Sequence, residues 1–387
     1  MNAVTIDLEA LRHNLEVVNR WVRGADASMT VVTKALCGHQ EVVKALRKMG
    51  VRSMADSRLE NIELLGDAPG DAEQWYLRPP HRSQLGDLVR LTHASLNSEL
   101  EVVRAIDREA RRQNRVHGVV VMIELGDLRE GILPGKLVDV YEEIFRLENV
   151  RVLGVGANLG CLSGAIPSVD ELMQLVLYRE LLELKFKRAM PLVSAGTSAV
   201  LPLLLQGQLP RSVNHFRVGE SILLGTDLIN GGTIEGLRGD VVTVEAEVVE
   251  VKHKSLVPSG ETTEMAPFAA IEGDEELAPG QRGWRALVNL GQVDTEVSAL
   301  TPVNPAYRIA GASSDITVVN VGDEPDGLEV GDAIRFRPGY SAMVRLMGNR
   351  YTEVRLRPDL DEQTGARVGL GPAVEIPPVM TEDRVPA

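Results

Sequence analysis

Cysteine is nearly absent from this chain, with Cys37 and Cys161 the only two. Two thiols without CxxC spacing make neither a disulfide scaffold nor a thiolate zinc site. The seven histidines include no HxxxH or HxH pair, so no metal centre is expected. Long apolar runs are missing too. Stretches such as Leu201–Leu205 fall far short of the roughly 20 residues that cross a bilayer. At the N-terminus, Asp7 and Glu9 stand where a signal peptide needs apolar residues, and a cytoplasmic protein is expected. Positive charge is also in deficit: 41 Lys+Arg against 55 Asp+Glu leave a net −14. That field disfavours nucleic acid and anionic membranes as partners.

What is present reads as an ordinary globular chain. Its 387 residues are 44% hydrophobic and 25% charged, and this length predicts more than one domain. Candidate strands occur at Thr30–Lys34, Val51–Ala55, Gln74–Leu77, Leu91–Leu96, Val116–Leu125, Arg151–Ala157, Pro191–Ser194 and Asn214–Val218. Segments with apolar spacing of three and four, such as Glu41–Met49, Ser98–Gln113 and Ser168–Leu184, alternate with them. The alternation predicts parallel βαβ units, and eight of them predict a closed (β/α)8 barrel of the TIM type. A doubly wound sheet of six or seven strands is the competing reading.

Past Leu224 the pattern changes to short strands, at Val241–Val251, Trp284–Leu290, Tyr307–Ile309, Ile316–Val321, Ala333–Phe336 and Met343–Leu346. An α/β barrel over residues 1–229 followed by an all-β domain over 230–387 is the expected organisation, with residues 1–10 available to pair with the β domain. Ser259–Gly283 reads as a long acidic loop, and the tail from Pro372 as poorly ordered.

In such a barrel the chemistry sits at the C-terminal ends of the strands. Lys34 leaves an apolar strand there, and among apolar neighbours its amine would be desolvated and nucleophilic. The competing reading is a lysine that merely snorkels to solvent. Two further loops, SAGTSAV (194–200) and RVGES (217–221), follow the seventh and eighth strands, where barrels often hold phosphate. Gly196 and Gly219 let backbone N–H groups approach an anion, and Ser198 and Ser221 add hydroxyls. A phosphorylated cofactor that reacts with an amine is pyridoxal phosphate. GVGANLG (154–160) has the wrong glycine spacing for a dinucleotide.

The stretches TIDLEALRHNL, VVTKALCGH, MADSRLENI, LGDLREGI, GVGANLGCLSGAIP, SAGTSAV and NHFRVGESILLG together resemble the alanine racemase family of pyridoxal-phosphate enzymes. The likeness is strongest to the ornithine racemase branch and continues through GQVDTEVSAL, GASSDITVV and RPGYSAMVRL. The resemblance implies an amino-acid racemase, working as a homodimer with its site at the subunit interface. It implies that Lys34 holds the cofactor covalently and that Arg217 faces the pyridine nitrogen. It also implies that Arg129 supports the phenolic oxygen, and that Ser198, Gly219, Glu220, Ser221 and Tyr340 contact the phosphate. Asn158 falls where alanine racemases carry a histidine.

The sequence departs from that pattern at Gln292, which stands where alanine racemases carry a tyrosine base and cannot itself serve as one. Asp294, Asp315 and Tyr340 are the candidates to replace it. Gln292, Asp294 and Asp315 are also expected to contact substrate, with Asp294, Glu296 and Asp315 available to a distal ammonium, so that ornithine or a related basic amino acid is the expected substrate. A racemase of alanine, lysine or serine, a D-amino-acid lyase or aldolase, and a non-catalytic cofactor carrier are the competing readings.

Overall fold

The computed structural model describes residues 2–64, 72–160, 164–257, 280–322, 324–325 and 327–359. Most of the expected acidic loop, the tail from Pro372, and Cys161 lie outside them. Strand β1 (Ala3–Asp7) comes first, then eight strands: β2 (Ser28–Val32), β3 (Ser53–Asp56), β4 (Glu73–Tyr76), β5 (Ala94–Asn97), β6 (His117–Met122), β7 (Val150–Gly156), β8 (Leu192–Thr197) and β9 (His215–Val218). These eight are parallel and close into a barrel, Ser28 of β2 meeting His215 of β9. The expected barrel is therefore present. Its strands read as near-continuous apolar runs because parallel strands are buried on both faces. Val32, Ala55, Trp75, Leu96, Val120 and Met122 belong to the core cluster that these strands form among themselves.

Helices α1 (Leu8–Gly24), α2 (Gln40–Lys48), α3 (Leu59–Leu64), α4 (Leu85–Leu91), α5 (Leu100–Arg112), α6 (Leu137–Ile144), α7 (Val169–Phe186), α8 (Leu201–Leu205) and α9 (Glu220–Leu224) alternate with the strands. Local chemistry starts the longer ones. The Asp7 carboxylate accepts from the N–H groups of Glu9 and Ala10 at 2.9 and 2.8 Å, and Ser168 and Glu171 form a reciprocal cap on α7. Among the described residues no helix is long and apolar enough to cross a membrane.

The second unit is a sheet of β10 (Val242–Ser255), β11 (Arg282–Val288), β12 (Leu300–Pro302), β13 (Arg308–Ala312), β14 (Thr317–Asn320), β15 (Ala333–Pro338) and β16 (Glu353–Arg357), joined by β1. β1 pairs antiparallel with β10 and parallel with β16. One expected strand is wrong: Met343–Leu346 lies inside helix α10 (Tyr340–Gly348). Ala342, Met343, Leu346 and Met347 are buried along one side of it, a spacing of three and four rather than two. The helix packs against the turn that carries Lys34, which joins the two units at the point where chemistry is expected.

Candidate active site

Strand β2 ends at Val32, so Lys34 starts a tight turn (Lys34–Leu36) outside the strand. Two residues beyond the sheet, its side chain is exposed rather than sheathed by apolar neighbours, and its amine stands 5.7 Å from the centre of the Tyr340 ring. Thr33 beside it donates to the buried Asp56 carboxylate at 3.3 Å. Asp56 also accepts from the Arg58 N–H and from Asn61 Nδ2, both at 3.0 Å. Burial raises the Asp56 pKa, while these hydrogen bonds oppose the rise. A polar anchor thus fixes the base of the lysine turn.

Arg217, only 6% exposed at the end of β9, is held from three sides. Nη2 donates to Asn158 Oδ1 at 2.8 Å and to the Ala157 carbonyl at 3.0 Å, and Nη1 donates to the Ser194 carbonyl at 2.6 Å and to Ser194 Oγ. Because Ser194 Oγ accepts from Arg217, its own proton goes to His215 Nδ1, 2.7 Å away. His215 Nε2–H then donates to Thr30 Oγ1 at 2.9 Å, and Thr30 to Ser53 Oγ at 2.8 Å. Burial, with help from the Arg217 charge, pushes the His215 pKa down to about 3, so the imidazole is neutral. Sequence reasoning missed His215, although residues two apart on a strand share a face.

On the other side of Arg217 lies a second omission, Glu130. Asn158 Nδ2 donates to Glu130 Oε1 at 2.6 Å, and Arg129 grips the same carboxylate through Nη2 at 2.6 Å and through Nε. Glu124 shapes this loop by accepting the N–H groups of Gly126, Leu128 and Arg129 at 2.6, 3.1 and 2.9 Å. Arg217, Asn158, Glu130 and Arg129 therefore form one continuous hydrogen-bonded chain. The neighbour of Arg129 in sequence was the only available signal for Glu130, and adjacency alone does not imply a bond.

The two glycine-serine loops also come together. The Ser221 N–H donates to Ser198 Oγ at 3.3 Å, while Ser221 Oγ donates to the Thr226 carbonyl at 2.9 Å. A Cβ on Gly219 would stand 2.8 Å from the Val32 carbonyl oxygen, so only glycine lets this loop approach β2. Thr197 Oγ1 is buried here without a hydrogen-bond partner. A bare backbone approach, an orphaned hydroxyl and a nearby lysine fit a phosphate ester carrying an aldehyde.

Glu220 follows Gly219. Burial pushes its carboxyl up to about 7, and the Lys34 charge works in the opposite direction. A raised carboxyl favours the folded state fully below the ordinary glutamate value of 4.5, and that contribution is lost as the pH rises through 7. In cofactor-free protein, Glu220→Gln is therefore expected to gain several degrees of melting temperature over the parent between pH 5 and pH 8. A gap that stays constant across that range would refute the placement of this carboxyl.

A cavity of about 1020 Å³ opens beside Lys34 and is lined by Arg58, Gln292, Asp294, Tyr340, Arg345 and Tyr351, among others. The Asp294 carboxylate is aimed by the Gly291 N–H at 2.9 Å and by Asn349 Nδ2 at 3.3 Å. Asp315 is not among the lining residues. It sits exposed on the turn between β13 and β14, accepting from Ser314 Oγ at 2.6 Å. Glu296, expected to be available to substrate, is instead ion-paired with Arg345 at 2.6 Å.

Residues 6–227 match the family described as alanine racemase, N-terminal domain. Over 358 residues, 91% of this chain and 99% of the relative, the sequence is 35% identical to an ornithine racemase of Acetoanaerobium sticklandii. It is 31% identical over 355 residues to a lysine racemase of Thermotoga maritima, spanning 92% and 98% of the two chains. An alanine racemase from Streptomyces coelicolor superposes with a TM-score of 0.70 at 19% identity, covering 92% of this chain and 98% of that one. A D-threonine aldolase from Filomicrobium marinum gives 0.67 at 15% identity over 89% and 88%. The two structural likenesses speak to the fold alone.

Proposed function

The chain belongs to the alanine racemase family, and from that premise we propose that it is a pyridoxal-phosphate-dependent racemase of ornithine or a related basic amino acid. Pyridoxal phosphate, when bound, supplies an electron sink that acidifies the Cα–H of an attached amino acid. The protein's part is to hold that group and to move one proton. Lys34 is the attachment point and the acid–base group on one face of Cα. Ser198, Gly219, Glu220 and Ser221 form the phosphate cradle with Thr197, and Tyr340 closes it from the β domain. Arg217 would face the pyridine nitrogen and Arg129 the phenolic oxygen.

The observation that carries this reading is Arg217. Its guanidinium is buried and held by Ser194, Ala157 and Asn158, and because it keeps its proton at any working pH, a ring nitrogen opposite it would stay unprotonated. That restrains the sink and suits a reaction that only inverts a centre. Inversion also needs a proton donor on the opposite face. Asp294 and Tyr340 share the Lys34 cavity and are the candidates within one chain. Asp315 does not line that cavity, although its backbone packs against Gly291 at its edge, and a homodimer whose sites lie at the interface is part of this reading. Asp294, beside Gln292, is proposed to meet the distal ammonium. The reaction belongs to the cytoplasm.

Incubating either ornithine enantiomer with enzyme and cofactor in heavy water is expected to exchange the Cα proton and yield the antipode, faster than with alanine. Retention of proton and chirality with ornithine, lysine, arginine and alanine alike would remove the racemase reading. Preference for alanine or serine would remove only the basic substrate.

A further inference from the structure

An α-amino acid brings a carboxylate as well as an amine, and a racemase must keep that carboxylate while it breaks the Cα–H bond. Arg129, the cation expected beside the phenolic oxygen, is already gripped by Glu130 through Nη2 and Nε. Three other arginines, Arg58, Arg345 and Arg350, line the cavity beside Lys34. Arg345 is ion-paired with Glu296 at 2.6 Å. Arg350 donates to the Tyr351 hydroxyl and lies 4.7 Å from the centre of that ring. The guanidinium of Arg58 has no partner among the described residues, although its backbone N–H is bonded.

We propose that Arg58 receives the α-carboxylate of the substrate. Its place is set by the same group that sets the lysine turn. Asp56, only 2% exposed, accepts the Arg58 N–H at 3.0 Å through Oδ1 and the Thr33 hydroxyl at 3.3 Å through Oδ2. Thr33 precedes Lys34, so one buried carboxylate fixes the backbone of both cations. The Arg58 charge also reaches the lysine turn, which Cys37 closes. Burial and the Asp56 charge raise the pKa of the Cys37 thiol, and Arg58 lowers it. A guanidinium offers a planar fork of N–H donors that matches a carboxylate, and a bidentate pair fixes orientation as well as charge. With amine and carboxylate both held, inversion at Cα exchanges only the hydrogen and the side chain. The barrel supplies Arg58 and the β domain Asp294, so the two charged ends of a basic amino acid meet opposite charges in one cavity.

The assignment rests on the amino-acid racemase reading, and binding measured apart from turnover separates the two. The absorbance of the cofactor-loaded protein is titrated with ornithine and with ornithine α-carboxamide, which keeps the shape of the acid but not its negative charge. Arg58→Gln is expected to weaken ornithine about 10- to 100-fold, the size of a charged hydrogen-bonded pair, and to leave the amide unchanged. Arg58→Lys keeps a point charge without the fork and should recover part of the loss. In turnover, KM for ornithine should rise more than kcat falls. Arg58 is exposed just before α3, so the circular dichroism of both variants should match the parent. An Arg58→Gln protein that binds ornithine as the parent does, or that loses ornithine and amide equally, would overturn the assignment while parental racemisation stands. A parent whose absorbance responds to neither compound would remove the racemase reading, and the carboxylate site with it.

Discussion

Lys34→Ala is expected to lower ornithine racemisation by about 10³-fold or more, since the variant loses both the covalent attachment point and a positioned acid–base group. It should also lose the visible absorbance of the loaded protein. The fold should survive, because Lys34 is exposed and lies outside the barrel strands. Lys34→Arg separates charge from chemistry. It keeps a cation beside the Tyr340 ring and the Glu220 carboxyl, but a guanidinium neither attacks an aldehyde nor gives up its proton at neutral pH. It should be as inactive as the alanine variant. Activity within tenfold of the parent in either variant would show that another group does the work.

How much of this was legible in the sequence depends on how local each signal is. Barrel strands announce themselves because double-sided burial demands unbroken β-branched runs, as in Val119 to Val121 of β6. Lys34, Arg217 and the glycine-serine loops were legible as polar groups at strand ends, where the architecture puts function. Met343–Leu346 was misread because four apolar-rich residues carry too little periodicity to separate strand from helix. β16 was missed because three of the five residues in EVRLR are charged, and its pairing with β1 spans almost the whole chain. Glu296 looked available because its partner, Arg345, lies on a helix that sequence patterning had not found.

The same limit hid Glu130, whose removal is the other large effect expected. One carboxylate here holds Arg129 directly and Arg217 through Asn158. If those two arginines meet opposite ends of the cofactor ring, Glu130 sets the orientation of both. Glu130→Gln changes no volume but replaces an acceptor oxygen with an amide N–H₂, which must then point at the N–H groups of Arg129 or Asn158. A donor facing a donor breaks the chain on one side or the other. A hydrogen bond to a charged group is worth about 1.5–3 kcal/mol, so kcat should fall about 10- to 100-fold. KM for the amino acid should change less, because Glu130 lines no part of the Lys34 cavity. Glu130→Asp keeps the charge on a shorter stem and should recover part of the loss. The absorbance of the loaded Glu130→Gln protein should shift with pH differently from the parent, since the groups around the ring have moved. A variant with parental kcat and an unaltered spectrum would mean that each arginine is held by its other contacts, and that the chain through Asn158 merely fills space.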